Sequence, residues 1–206
     1  MSNSEREILI VYYTRHGATA ELARHVARGV VSVAGAAATL RTVPPVSAGN
    51  EVARPLPENG PPYATLADLK RASAVILGSP AWFGGMAAPL KHFLDSTSAL
   101  WLEGALAGKP AAAFTSTQTQ HGGHEMALFS MLVPLMHQGM ILVGLPYTES
   151  ALTRTAAGGA PYGAGHVMQQ AGATPSADEQ SLCQALGRRV AELTLRLAAS
   201  APAPRG

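Results

Sequence analysis

Residues 8–13 form an unbroken apolar and partly β-branched run, Ile-Leu-Ile-Val-Tyr-Tyr. A strand with one wet face alternates apolar and polar residues. A run of this length without alternation reads as a strand buried on both faces, as in the centre of a parallel sheet. Similar runs recur at 73–78, 109–115 and 140–144, and 36–43 supplies a further strand carrying Leu40 and Val43. Between them lie stretches with helical spacing. These are 18–33 with Leu22, Val26, Val30 and Val33, then 64–71, then 89–98 with Pro89 at its first turn. Further on, 124–138 carries Met126, Phe129, Leu132 and Met136 as its apolar side, and 178–199 carries Leu182, Leu186, Val190, Leu193 and Leu197. Five strands alternating with helices predict an α/β fold, a doubly wound five-stranded parallel sheet with helices on both faces. In such a sheet, ligands bind at the carboxyl ends of the strands.

Three polar loops fall at that edge. The first, after 8–13, reads Thr14-Arg15-His16-Gly17-Ala18-Thr19 and runs into a helix. Free N–H groups of a helix's first turn and its dipole favour an anion, so the loop is a candidate phosphate cradle, with Thr14 and Thr19 able to donate hydroxyls. Neither a Walker loop nor the Gly-x-Gly-x-x-Gly dinucleotide fingerprint is present. The bland alternative makes Thr14 an ordinary helix cap. The second loop sets Trp82 and Phe83 between Ala81 and Gly84, a stacking platform for a planar ring unless the aromatics tuck onto the core. The third, Ser116-Thr117-Gln118-Thr119-Gln120-His121, offers hydroxyls and backbone amides. Phosphate plus a large planar ring points to a mononucleotide, and flavin mononucleotide (FMN) fits best because nothing serves a second phosphate or adenine half.

Composition narrows the rest. At 206 residues, with 47% hydrophobic and 14% charged residues, the chain reads as a single globular domain over 1–200, with a disordered tail at 201–206. A net charge of +2, spread thinly, gives no footing for nucleic acid. No apolar run reaches membrane-spanning length and no signal-peptide core is visible, so the expected location is cytoplasmic. The single cysteine, Cys183, excludes a disulfide framework and reads as a small buried residue. His121-x-x-His124 with Glu125 lacks further metal-ligand candidates, and no metal is expected. The long segments 44–62, dense in Pro and Gly, and 145–174, Gly-rich, read as irregular and as candidate subunit contacts.

An ordered set of motifs then adds a resemblance. Thr14-x-x-Gly17-x-Thr19 looks like the flavodoxin phosphate loop. Gly78-Ser79-Pro80-Ala81-Trp82-Phe83-Gly84, Phe93-Leu94-Asp95-Ser96-Thr97, Leu100-Trp101, Gly104-Ala105-Leu106-x-Gly108-Lys109, His137-x-Gly139-Met140 and Gly159-x-Pro161-Tyr162-Gly163-Ala164 resemble, in order, the WrbA-type NAD(P)H:quinone oxidoreductases. The resemblance implies a flavodoxin-like fold, bound FMN, NADH or NADPH as electron donor, two-electron quinone reduction by ping-pong hydride transfer, and a homotetramer. It implies that residues 14–19 hold the phosphate, that Ala81, Trp82, Phe83 and Gly84 line the isoalloxazine, and that 116–121 contact it from the other loop. Trp101 would wall the substrate pocket, in its own or a neighbouring subunit. His137 would lie beside the flavin as the catalytic group. The chain departs from the family pattern at His16, commonly aromatic, at Trp82, commonly arginine or a similar polar residue, and in a longer loop 117–123. The alternative is a flavodoxin-type electron carrier without nicotinamide-dependent activity of its own.

Overall fold

The computed structural model describes residues 5–47, 57–168 and 174–200; the expected tail at 201–206 and the middle of the 44–62 segment lie outside them. Strands β1 (Arg6–Tyr12), β2 (Ala36–Thr42), β3 (Ala74–Trp82), β5 (Pro110–Thr117) and β6 (Ile141–Leu142) form a sheet in the order β2-β1-β3-β5-β6, and these neighbours pair in parallel. The crossovers include α1 (Ala18–Val31), α2 (Leu66–Arg71), α3 (Ala88–Asp95), α4 (Ser98–Leu102) and α5 (His124–His137). The closing helix is α7 (Ala177–Ser200).

The unbroken apolar runs are explained by two cores, one on each face. Ile8, Ile10 and Tyr12 of β1 meet Leu22, Val26 and Val30 of α1 and Leu182, Leu186 and Val190 of α7. Leu9 and Val11 point the other way, into Leu69, Leu90, Phe93, Leu128, Met131 and Leu135. Alternate strand residues thus enter different cores, and every one is buried. The helices of the first face lie unusually close. A Cβ on Gly29 of α1 would stand 2.0 Å from the Gln184 carbonyl oxygen, and one on Gly187 of α7 would stand 2.1 Å from that of Val26. The two glycines let backbone touch backbone.

Four expectations are corrected. The helix expected over 89–98 stops at Asp95, where Ser96 Oγ and Thr97 Oγ1 donate to the Phe93 and Leu94 carbonyls, and α4 starts at Ser98. The fifth strand is split: β6 pairs with the start of β5, and β7 (Ala164–Val167) pairs with its end. The 145–174 segment therefore holds a buried strand and α6 (Ser150–Arg154), which its glycines hid from the apolar pattern. Finally, α5 seats Leu128, Met131, Leu132 and Leu135 on the sheet, while Met126, Phe129, Val133 and Met136 face outward and are exposed. That helix carries two apolar stripes, and spacing alone does not say which one meets the sheet. A further short strand, β4 (Gly85–Met86), folds back antiparallel on the end of β3.

Candidate functional site

The loops after β1, β3 and β5 converge at the carboxyl edge. There, a cleft of about 120 Å³ is lined by Thr14, Arg15, His16, Ala18 and Thr19 from the first loop. Pro80, Ala81 and Trp82 come from the second, and Ser116, Thr117 and Gln118 from the third, with Met168 closing one side.

The first loop is built as an open cradle. Gly17 caps α1 with a left-handed backbone, φ +93°, and a side chain there would be strained although the space around it is empty. Thr14 Oγ1 accepts the Gly17 N–H at 3.1 Å, and no side chain caps α1. The first N–H of the helix region to find a backbone partner within it is that of Glu21, which donates to the Gly17 carbonyl at 3.0 Å. The N–H groups of the first turn thus face the loop, as an anion requires. Thr19 is buried and shares a 2.9 Å hydrogen bond with Ser116 Oγ, which ties the first loop to the third.

The second loop is a two-residue hairpin. Trp82 pairs with Gly85 across β3 and β4, and the turn residues Phe83 and Gly84 have φ +49° and +77°. Positive φ at both positions is the turn that matches strand twist. For Phe83 it is strained, the one non-glycine positive φ among the described residues, and the side chain is fully exposed at the apex. Ser79 Oγ accepts from the Ala87 N–H, and Ser130 Oγ accepts from the Met86 N–H, each at 2.8 Å, so the hairpin is fastened at its base. Trp82 is half-exposed. Tyr13 meets its ring edge-on at 5.9 Å, and the Arg15 guanidinium lies 5.8 Å from its centroid. Gly84 and the third loop touch: a Cβ on Gly123 would stand 2.7 Å from the Gly84 Cα.

Of the remaining expected site residues, Thr119 accepts the Gly122 N–H through its carbonyl at 3.0 Å and shapes the third loop. Gln120 and His121 line a separate, larger cavity of about 430 Å³ beside the cleft, with His124, Glu125, Gly159 and Val167. Trp101 and His137 stand together elsewhere. Their rings stack at 5.7 Å between centroids. They lie at the far end of α5, whose 14 residues begin beside the third loop. At ~1.5 Å per residue, that separates them from the cleft by about 20 Å. Within one chain, the structure does not bring His137 to the cleft.

Sequence reasoning missed a buried polar group behind the third loop. Glu179 of α7 accepts from the Gly158, Val167 and Ser176 N–H groups at 2.8, 3.0 and 2.7 Å, and pairs with His166 Nδ1 at 2.9 Å. Burial alone would raise its pKa. The His166 contact and the backbone donors outweigh that and push it down to about 2. Ser176-x-x-Glu179 is a helix-start signature that could have flagged the glutamate. The other partners, Gly158, His166 and Val167, lie 12 or more residues away and carry no local signal. No cluster of potential metal ligands occurs among the described residues, and Cys183 is buried with its thiol pKa raised by burial.

The cleft suits FMN. It offers an anion cradle without a clashing side chain, a half-exposed indole and the hydroxyl-bearing residues Thr14, Thr19, Ser116 and Thr117 in its lining. When bound, FMN supplies two-electron redox chemistry. Residues 8–150 match the family described as NADPH-dependent FMN reductase. A protein of Solidesulfovibrio magneticus named NAD(P)H dehydrogenase (quinone) is 40% identical over 201 residues, 93% of this chain and 99% of its own. One of the same name from Gluconacetobacter diazotrophicus is 42% identical over 199 residues, covering 94% and 99%. Among solved structures, a WrbA-like flavodoxin from Agrobacterium tumefaciens superposes with a TM-score of 0.66 at 21% identity, over 93% of this chain and 99% of that one. An archaeal flavodoxin reaches 0.61 at 20% identity, over 92% and 99%. The fold is thus flavodoxin-like.

Proposed function

We propose, from the premise that this chain belongs to the family of NADPH-dependent FMN reductases, that it is an FMN-dependent NAD(P)H:quinone oxidoreductase. The observation that carries the reading is the open cradle of α1 facing Trp82 and the Ser116–Thr117 hydroxyls in one cleft. The N–H groups of the α1 first turn and Arg15 would hold the phosphate. Trp82 and the 116–118 backbone would flank the ring, and nearby N–H groups would favour negative charge on it. NADH or NADPH and the quinone would visit one open face in turn, which gives ping-pong kinetics.

Trp101 and His137 enter this reading through a second copy. A stacked Trp–His pair at the end of the molecule opposite the cleft can wall a substrate pocket or donate a hydrogen bond to a quinone oxygen only in a neighbouring subunit. The outward stripe Met126, Phe129, Val133 and Met136 supports such an assembly, which the reading takes as a homotetramer. Among the described residues no helix is long and apolar enough to cross a membrane, and the reading places the protein in the cytoplasm.

The test is anaerobic. Protein loaded with FMN is mixed with NADH or NADPH, the flavin absorbance is followed, and benzoquinone is added. Two-electron bleaching followed by recovery is expected, with parallel initial-velocity lines in steady state. Bound flavin that takes no electrons from either nicotinamide would replace the enzyme by an electron carrier.

A further inference from the structure

His124, the first residue of α5, does not belong to the cleft lining, yet it is the buried group that stands directly behind it. Its Nδ1 lies 3.5 Å from Thr117 Oγ1, a hydroxyl of the cleft wall. Its Nε2 lies 3.5 Å from the Gly159 N–H. Both distances are at the outer limit of hydrogen bonding, and the chemistry fixes their direction. The Gly159 N–H can only donate, so Nε2 presents its lone pair and Nδ1 keeps the proton. Nδ1–H then donates to Thr117 Oγ1, and the proton of that hydroxyl is left to be donated into the cleft.

The ring has a made-to-measure place. A Cβ on Gly165 of β7 would stand 2.0 Å from both Cε1 and Nε2 of His124, so only glycine admits the imidazole there. The segment on its far side, 158–167, is itself pinned by the Glu179 carboxylate through Gly158, Val167 and His166. The ionisable groups around it are Glu179 and His166 from α7 and β7, with His121 and Glu125 lining the neighbouring cavity. Burial, with the positive side of His166, outweighs the attraction of Glu179 and lowers the His124 pKa to about 4, so the ring is neutral at ordinary pH.

We propose that His124 is a positioning residue for FMN: a neutral imidazole, wedged between Thr117 and Gly159 in the space Gly165 leaves, that sets the third loop's height and turns the Thr117 hydroxyl into a donor toward the cofactor. The inference rests on the reading of the cleft as an FMN site. It assigns a role to a histidine that touches neither substrate nor cofactor.

The experiment uses the full chain and two readouts. Long-range ¹⁵N–¹H correlation of the histidine rings reports the tautomer, and flavin fluorescence quenching reports FMN affinity, with thermal melting as the check on folding. The expected signature is an Nδ1-protonated His124 whose nitrogen shifts move as FMN saturates the protein. His124→Gln keeps one acceptor and one donor and is expected to bind FMN within ~3-fold of wild type, whereas His124→Ala loses ~10-fold or more. Gly165→Ala evicts the ring without removing it and is expected to match His124→Ala, with no further loss when the two are combined. An Nε2-protonated ring, undiminished FMN binding in His124→Ala, or a Gln variant as weak as the Ala variant would overturn the assignment. A wild-type protein that takes up no FMN would remove the cofactor reading itself, and this inference with it.

Discussion

Helices α5 and α7 cover opposite faces of one sheet and finish their surfaces in opposite ways. On its inner side, α7 sets small residues, Cys183, Ala185, Gly187 and Ala191, between the buried Leu182, Leu186 and Val190, and meets α1 backbone to backbone. Its outer side is polar: Arg188 pairs with Glu149, Arg189 donates to the Gly144 carbonyl, and Arg196 is exposed. By contrast, α5 buries large residues inward and shows Met126, Phe129, Val133 and Met136 outward, with Tyr162 against Phe129 at 4.6 Å between ring centroids. The chain completes one face by itself. The other is patterned as though more protein belongs there, and the helix that carries this pattern runs from the third loop to the Trp101–His137 stack.

The contrast can be broken at its largest point first. Glutamate at both Phe129 and Met136 should convert an assembled protein entirely to monomer in sedimentation velocity, because a charge pair cannot be buried unpaired. Arg196→Glu on α7 should leave the assembly unchanged. Assembly that survives the α5 change would show that this stripe is not the contact. The second difference is in tolerance to added volume. Gly29→Ala or Gly187→Ala forces a methyl onto a backbone oxygen and should cost at least ~3 kcal/mol in chemical denaturation, or prevent folding. The volume-conserving Met131→Leu under α5 should cost less than ~1.5 kcal/mol.

Acid brings the two helices together, since His124 opens α5 and Glu179 stands in the first turn of α7. The His124 ring is neutral in the fold, with a pKa lowered to about 4, while an unfolded histidine takes a proton near 6.5. Its contribution is therefore complete above about pH 6.5 and is lost as pH falls toward 4, by at most ~3 kcal/mol. Glu179, at about 2, contributes above its ordinary carboxylate range, and that contribution is lost on further descent. Unfolding free energy should fall in two legs, and His124→Gln should remove the upper one alone. The smallest effect lies on the surface: Arg154→Ala breaks the 2.7 Å pair between Arg154 and Asp178 of α7 and should shift stability by under ~0.5 kcal/mol, because the guanidinium is exposed.

Much of this was legible in the order of residues. The unbroken runs gave the parallel sheet because burial on both faces leaves no position for a polar residue. The turn at 14–19 was readable as a strand-to-helix connection because the apolar run stops at Tyr13 and helical spacing begins at Ala18. What stayed hidden depends on partners far along the chain. The sheet-facing stripe of α5 is chosen by Leu9, Val11 and Leu77 of the strands beneath it, not by its own spacing. Strand β7, with glycine and histidine at its centre, is recognisable only through its pairing with β5. His124 looked like half of an incomplete metal motif until Gly165 and Gly159 came to lie against it. The His137 position was readable as a motif, but its distance from the cleft follows only from the length and direction of α5.

The split last strand has a consequence for how the protein behaves in a crowded solution. An open parallel sheet ends in a row of unsatisfied backbone groups, and such a row invites another chain to add to it. Here, the border beside β5 is a two-residue piece, Ile141–Leu142, and a four-residue piece, Ala164–Val167, separated by an excursion whose Leu145 N–H turns inward to the Pro161 carbonyl at 2.9 Å. Neither piece is long enough to template a foreign strand, and the longer one is buried. The interruption blunts strand addition at this border, whether or not the cleft is filled, and leaves the seven-residue β2 at the opposite edge as the longer template.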